Sequence, residues 1–173
     1  MDFHDARSRK VIFITHCHLN QNARLERCAE SPAATRTLAE GLLQREIGIV
    51  QMPCPELMVL GLNRGHIAVR SGLESIPARD ALRKLAADVV FQIRQYESCG
   101  VRVLGVLGKD GSPSCGVAKT SRSDGKGPID GAGVFVQLLQ EELKRANCNV
   151  PVAGTMDNRQ DAALAIVDGW VAR

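Results

Sequence analysis

Aromatic side chains are scarce in this chain, where Phe, Trp and Tyr together make up 3% of the 173 residues. Surfaces that bind single-stranded nucleic acid stack successive bases on several aromatic rings, so no such surface is expected here. The basic residues are scattered without a dense block of Lys and Arg, and the net charge is only +3. We therefore expect no binding to a nucleic-acid duplex. The mild positive charge suits a small anionic ligand.

Long apolar runs are also missing. No stretch approaches the roughly 18 apolar residues of a membrane span, and residues 1–10 lack the apolar centre of a secretory signal. We therefore expect no membrane association and a cytoplasmic location. In that reducing compartment, the six cysteines indicate free thiols, metal ligands or catalytic groups before disulfides. The length predicts one domain over residues 1–173.

Short β-branched runs alternate along the chain with amphipathic segments. This alternation predicts βαβ units and a parallel sheet with right-handed crossovers. We expect a three-layer α/β/α sandwich with a short, mainly parallel sheet of about four or five strands, Rossmann- or flavodoxin-like. The predicted strands are 10–16, 47–52, 101–107 and 150–153, and the clearest predicted helices are 78–98 and 131–146.

Three further segments carry local signals. Ser31-Pro32 combines an N-cap residue with a proline in the first turn, which predicts a helix start that leads to about residue 46. The polar segment 57–77 is long for a compact fold, and long excursions often line sites. The Ser- and Gly-rich segment 119–130 is typical of a mobile surface loop, and it could serve as a lid.

A cysteine follows each of three predicted strands: Cys17, Cys54 and Cys115. Ligands of open parallel sheets bind beyond the carboxyl ends of the strands, so we expect these thiols to share one site. Three thiolates would leave an open position on zinc, or on one iron of a cubane cluster. Soft thiolates favour zinc, Cu(I) or iron–sulfur. The spacing of the cysteines does not choose between these, and the alternative is that they are buried packing residues.

Other polar residues stand beside these cysteines. Glu56 comes two residues after Cys54 and is a natural general acid or base; otherwise it is a solvated charge at a helix start. Ser112 and Ser114 could hydrogen-bond a substrate or a cluster sulfur, or they are simply turn residues. His18 is a weaker candidate for a fourth ligand. Adjacent residues of an extended chain point to opposite sides, so we expect at most one of His16 and Cys17 to face the site.

The remaining cysteines lack such loops, and packing or incidental exposure is the better interpretation for Cys28, Cys99 and Cys148. A nucleophilic Cys115 on its Gly-rich turn is a further alternative. This interpretation lacks an obvious histidine partner, because His66 is the only histidine beyond the first eighteen residues.

Three segments together resemble the thiouracil desulfidase family, and most closely a branch of desulfidase-related proteins. They are His16-Cys17-His18-Leu19-Asn20-Gln21-Asn22, Pro53-Cys54-Pro55-Glu56-Leu57 and Gly111-Ser112-Pro113-Ser114-Cys115-Gly116-Val117. The order Cys-Pro-Glu followed by Ser-Pro-Ser-Cys-Gly is a specific combination, and the resemblance covers most of the chain. One segment departs from the family, whose characterised members carry a Cys-Arg-Tyr-Asp-Gly-like stretch where this chain has residues 20–24.

The resemblance implies a 4Fe–4S cluster held by Cys17, Cys54 and Cys115, whose fourth iron binds the sulfur of a small thiolated molecule such as a thionucleobase. It also implies a catalytic glutamate, matched by Glu56, and a serine, matched by either Ser112 or Ser114. We therefore expect a 4Fe–4S-dependent desulfidase that releases hydrosulfide by hydrolysis of a C–S bond. The alternatives are a non-enzymatic iron–sulfur redox sensor or carrier, and a zinc-thiolate hydrolase. The sequence does not indicate an oligomeric state.

Overall fold

The computed structural model describes residues 4–65, 68–122, 124 and 127–173. Four strands form a parallel sheet in the order β2-β1-β3-β6, and two short strands form a separate antiparallel pair, β4-β5. The strands are β1 (Lys10–Ile14), β2 (Gly48–Gln51), β3 (Arg102–Lys109), β4 (Lys119–Ser121), β5 (Pro128–Asp130) and β6 (Val152–Thr155).

Helices cover both faces of the sheet. They are α1 (His16–Leu19), α2 (Arg36–Gln44), α3 (Pro55–Leu60), α4 (Val69–Glu74), α5 (Ile76–Ser98), α6 (Val134–Arg145) and α7 (Gln160–Val171). Helices α5 and α6 pack against one face, and α2 and α7 against the other. The predicted three-layer α/β/α sandwich with a parallel sheet is confirmed.

Side chains of β1 divide the core between these two faces. Val11 and Phe13 join the apolar cluster that contains the buried residues of α5 and α6. Ile12 and Ile14 join the cluster that contains those of α2 and α7. Successive side chains of a strand point to opposite faces, so a run of apolar residues serves both layers at once.

A glycine lets α7 approach the middle of the sheet. The pairing of β3 with β1 shifts register between Val103 and Val106, and Gly105 lies in this irregular stretch. A Cβ at Gly105 would stand 2.3 Å from the ring of Trp170, on α7. The indole therefore packs directly on the backbone of the central strand, as glycine in a bulged strand permits.

The start of α2 was predicted wrongly, because it begins at Arg36 and not at Ser31-Pro32. The backbone N–H groups of Glu30 and Ser31 donate to Oε1 of Gln21, at 2.8 and 3.2 Å. A side chain of the preceding loop thus binds the N–H groups that a helix start would leave free. Consequently this stretch bends over the loop after β1.

The predicted loop over residues 119–130 contains two short strands where the structure describes it, and its mobility stays a prediction. Thr120 pairs with Ile129 in the antiparallel pair β4-β5. The N–H groups of residues 117–119 donate to Oδ1 of Asp110, at the end of β3, at 2.9 to 3.3 Å. This carboxylate fixes the stretch between Cys115 and β4. Among the residues that the structure describes, no helix has both the length and the apolar character that crossing a bilayer requires.

Candidate active site

A cavity of about 530 Å³ opens at the carboxyl edge of the parallel sheet. Small-molecule sites have volumes of roughly 300–1,000 Å³. The cavity lies beside the ends of β1 and β3, where the strand order reverses and where sheets of this kind bind their ligands. The three predicted ligand cysteines and the three predicted catalytic residues line it: Cys17, Cys54, Glu56, Ser112, Ser114 and Cys115.

Each cysteine is held by a different local structure. Cys17 lies in the short helix α1, with its Sγ 3.8 Å from Oγ1 of Thr15. Cys54 precedes α3 and caps it, because its Sγ accepts a hydrogen bond from the N–H of Leu57 at 3.4 Å. Cys115 is buried in the turn after β3, and its N–H donates to Oγ of Ser112 at 3.0 Å.

The three sulfurs influence one another. Burial raises the pKa of the Cys115 thiol, and the neighbouring Cys17 acts in the same direction. Burial likewise raises the pKa of Cys54, with smaller contributions from Glu56 and Cys17 in the same direction. Ionised thiols would therefore repel each other and Glu56. A cationic group among them would relieve this repulsion, so the donor set fits a metal centre.

The described residues contain no group of three His, Cys, Asp or Glu side chains close enough to hold one metal ion. A cubane cluster attaches each thiolate to a different iron. Its protein ligands therefore stand further apart than those of a single ion. The convergence of the three thiols on one cavity is thus compatible with a cluster.

The turn that carries Cys115 packs tightly against the start of α6. A Cβ at Gly133, just before α6, would stand 2.4 Å from the carbonyl carbon and oxygen of Ser114 and 2.9 Å from the N of Cys115. All of these are backbone atoms, so a Cβ at position 133 could be accommodated only if the turn itself moved. Glycine at this position therefore fixes the place of Ser114 and Cys115.

Gly133→Ala is expected to lower the free energy of unfolding by about 1–3 kcal/mol, the usual cost of overpacking. Urea unfolding followed by circular dichroism measures it. Gly169→Ala is the matched control: Gly169 lies in α7, where an added Cβ would meet only open space, so alanine there should stabilise by about 0.5–1 kcal/mol. Equal stability of the two variants would contradict the close approach.

Glu56 accepts three hydrogen bonds with its two carboxylate oxygens. Ser114 and Ser112 donate to Oε1, at 2.7 and 3.3 Å. Nε of Arg64 donates to Oε2 at 3.0 Å, and this guanidinium is itself held by the carbonyl groups of Gly61 and Ala23. One guanidinium and two hydroxyl groups therefore hold the Glu56 carboxyl group in place on the cavity wall.

The two serines occupy different positions around this carboxylate. Ser114 is 1% exposed, and its hydroxyl makes the shorter bond to Glu56 while also lying 3.4 Å from the Cys115 sulfur. Ser112 is half-buried, and its Oγ accepts from the N–H groups of Ser114 and Cys115. Ser112 thus shapes the turn, and it is the less buried of the two serines.

The two histidines beside Cys17 have different surroundings. His16 and Cys17 both line the cavity. They belong to a helical turn and not to extended chain, so the alternation expected of adjacent side chains does not apply to them. His18 is fully buried, with Nδ1 3.3 Å from Oγ1 of Thr35. Burial lowers the pKa of His18 to about 4. His66 lies outside the described residues.

Two arginines of the site were missed by sequence reasoning. Arg64 pairs with Glu56, and both side chains are at most 10% exposed. Arg24 lines the cavity and pairs with Asp157 at 2.5 Å. Arg64 lies eight residues after Glu56 in a polar segment, which is a weak signal. No local signal connects Arg24 with a carboxylate at the far end of the chain.

The sequence matches a known family and a relative over most of its length. A family model described as "Putative 2-thiouracil desulfurase" matches residues 10–152. Uncharacterized protein MJ0003 of Methanocaldococcus jannaschii is 21% identical over 155 residues, which cover 90% of this chain and 91% of that protein.

A solved structure has a similar fold. It is the [4Fe-4S]-dependent thiouracil desulfidase TudS, with a TM-score of 0.55 and 21% sequence identity. The match covers 91% of this chain and 97% of that one. At 21% identity, the structural match supports the α/β sandwich fold. The match to the family model supports a relationship to that family.

Proposed function

The chain belongs to the 2-thiouracil desulfurase family, and from this premise we propose that it is an iron–sulfur-dependent desulfidase acting on a small thiolated molecule such as a thionucleobase. The observation that carries the proposal is that Cys17, Cys54, Cys115 and Glu56 all line one cavity. The reaction exchanges sulfur for oxygen: a C=S group and water become C=O and hydrogen sulfide. No oxidant or reductant is consumed.

A 4Fe–4S cluster held by the three thiolates would supply one iron without a protein ligand, which acts as a Lewis acid towards the substrate sulfur. The donor chemistry fits such a group, because the three cysteines are free thiols on one cavity. TudS, which has a similar fold, is described as [4Fe-4S]-dependent, and this likeness supports the same cofactor here.

Glu56 would act first as a base. Hydrogen bonds from Arg64 and the two serines hold the carboxyl group in place, where it would accept a proton from the water that attacks the thiocarbonyl carbon. Once protonated, Glu56 can return that proton to a ring nitrogen or to the departing sulfur. One carboxyl group would then serve both half-steps, as general acid–base catalysis allows.

The two serines would have different roles. Ser114 is almost fully buried and donates to Glu56 at 2.7 Å, so we assign it to holding the carboxylate in place. Ser112 is the less buried of the two serines and lines the cavity, so we assign it to contact with the substrate. The Ser112 hydroxyl could also relay a proton to Oε1 of Glu56, taking one from the attacking water as it gives up its own.

The test is anaerobic reconstitution with iron and sulfide, followed by a sulfide-release assay. We expect a broad absorbance band near about 400 nm, iron and acid-labile sulfide in equal amounts, and conversion of 2-thiouracil or 4-thiouracil to uracil with one sulfide released per uracil formed. Protein kept without iron is the control and should release none.

Other outcomes identify the alternatives. A cluster without sulfide release from any thiolated base or nucleoside would indicate a redox sensor or carrier. Activity that depends on zinc and not on iron would indicate a zinc-thiolate hydrolase. Either outcome would contradict the proposal. One domain over residues 1–173 and a cytoplasmic location remain predictions from the sequence.

A further inference from the structure

A buried ion pair stands directly behind the site. Arg24 follows the turn Gln21–Ala23, and Asp157 follows the end of β6. The guanidinium donates two hydrogen bonds to the carboxylate, at 2.5 and 2.9 Å, and a third to the carbonyl oxygen of Cys28 at 3.1 Å. The two side chains are 8% and 3% exposed. A bidentate pair of this kind fixes the plane of the guanidinium.

Asp157 is shared with a second cation. Nζ of Lys109, at the end of β3, lies 2.9 Å from Oδ2 of Asp157. Burial would raise the pKa of Asp157, but the hydrogen bonds from Arg24 and Lys109 outweigh burial and hold it well below its usual range. Arg24 and Lys109 thus contribute two positive charges against one negative charge. The group of three carries a net positive charge, and both cations line the cavity.

The two terminal nitrogens of Arg24 donate to Asp157 and Cys28, and its Nε makes neither contact. Burial would lower its pKa, but Asp157 and the adjacent Cys17 outweigh burial and raise it. Arg24 and Cys17 line the same cavity. Nε of Arg24 has no hydrogen-bond partner among the described residues, although the atom is buried. Buried N–H groups are nearly always satisfied, so this one calls for an acceptor.

We propose that Arg24, oriented by Asp157, offers its positive charge and its unpartnered Nε–H to Cys17, and that it would thereby raise the reduction potential of a cluster held by that thiolate. The inference rests on the proposed function, since it concerns the cofactor proposed there. Arg24 acts through Cys17 and is a positioning residue, not a catalytic one.

The direction of the effect follows from charge. One-electron reduction adds a negative charge to a cluster that three thiolates already surround. A neighbouring cation and a hydrogen bond to a ligand sulfur both stabilise the reduced form, and these are the factors that set cluster potentials. Removing them should therefore make reduction harder.

The experiment is a spectroelectrochemical titration of the reconstituted full-length protein. Arg24→Gln should reduce the equilibrium constant for cluster reduction at least tenfold, which corresponds to a potential lower by about 59 mV for one electron. Arg24→Lys keeps the charge and should restore part of the shift. Arg27→Gln is the matched control, because it removes the same charge from an 89% exposed side chain on the same cavity.

Each outcome decides the inference. A potential in Arg24→Gln equal to that of Arg27→Gln, with both clusters intact, overturns it and leaves the proposed function standing. Wild-type protein that takes up no cluster overturns the proposed function and this inference with it. If Arg24→Gln does not fold, Arg24→Lys still decides, because it keeps the charge but lacks the Nε–H. A potential in Arg24→Lys unchanged from wild type would then overturn the inference as stated, because it requires the Nε–H group as well as the charge.

Discussion

Glu56→Gln is expected to lower the rate of sulfide release from a thiolated base by about 10²–10⁴-fold, the usual contribution of a general acid–base group. The amide keeps the size of the side chain but cannot take a proton from the attacking water. Iron content and the absorbance of the cluster should stay at the wild-type level, because Glu56 is not one of the three proposed ligands. A steady-state assay of sulfide release under anaerobic conditions measures the change.

Two further variants make this result interpretable. Glu30→Gln removes a carboxylate from an exposed side chain on the same cavity, and it should retain the wild-type rate. Glu56→Gln leaves Arg64 without its buried counter-charge, and breaking a buried pair can cost about 3–5 kcal/mol. Glu56→Asp keeps the charge and withdraws the carboxylate by one methylene. Full activity in Glu56→Asp and Glu56→Gln, with clusters intact, would exclude the acid–base role.

The layers of the fold could be predicted because the pattern of apolar residues in the sequence matches the side chains that are buried in the structure. The run from Val11 to Ile14 is apolar on both sides of the strand, which only a sheet covered on both faces requires. The start of α2 could not be predicted in this way. Ser31-Pro32 is a sound local signal, but the side chain of Gln21 binds the backbone there, and that contact forms only in the folded chain.

The residues of the candidate site also fall into one group that the sequence predicts and one that it does not. Its cysteines follow strands, so topology alone predicts that they gather at one edge of the sheet. Its cations do not follow any pattern of this kind. Arg24 and Asp157 are 133 residues apart in sequence, and they meet because the loop after β1 and the turn after β6 end at the same edge. Charges that pair across a sheet edge carry no local signature, which is why sequence reasoning missed them.

The second large effect is expected from the cysteines. Cys17→Ala, Cys54→Ala and Cys115→Ala should each abolish cluster binding and sulfide release, because a cluster that has lost one of three protein ligands is no longer held. Reconstitution followed by iron, sulfide and absorbance measurements tests each variant. The folded state should survive, since α3 loses only a weak sulfur cap at Cys54 and Cys115 lies in a turn held by other hydrogen bonds.

Cys28→Ala is the control that makes these losses specific. Cys28 is an exposed free thiol on the same cavity, so it has the chemistry and the access of a ligand but does not follow a strand. We expect it to retain cluster and activity. If Cys28→Ala lost the cluster while one of the other three variants kept it, the ligands would not be the cysteines that follow strands. Retention of iron in Cys115→Ala with complete loss of sulfide release would instead point to Cys115 as a nucleophile.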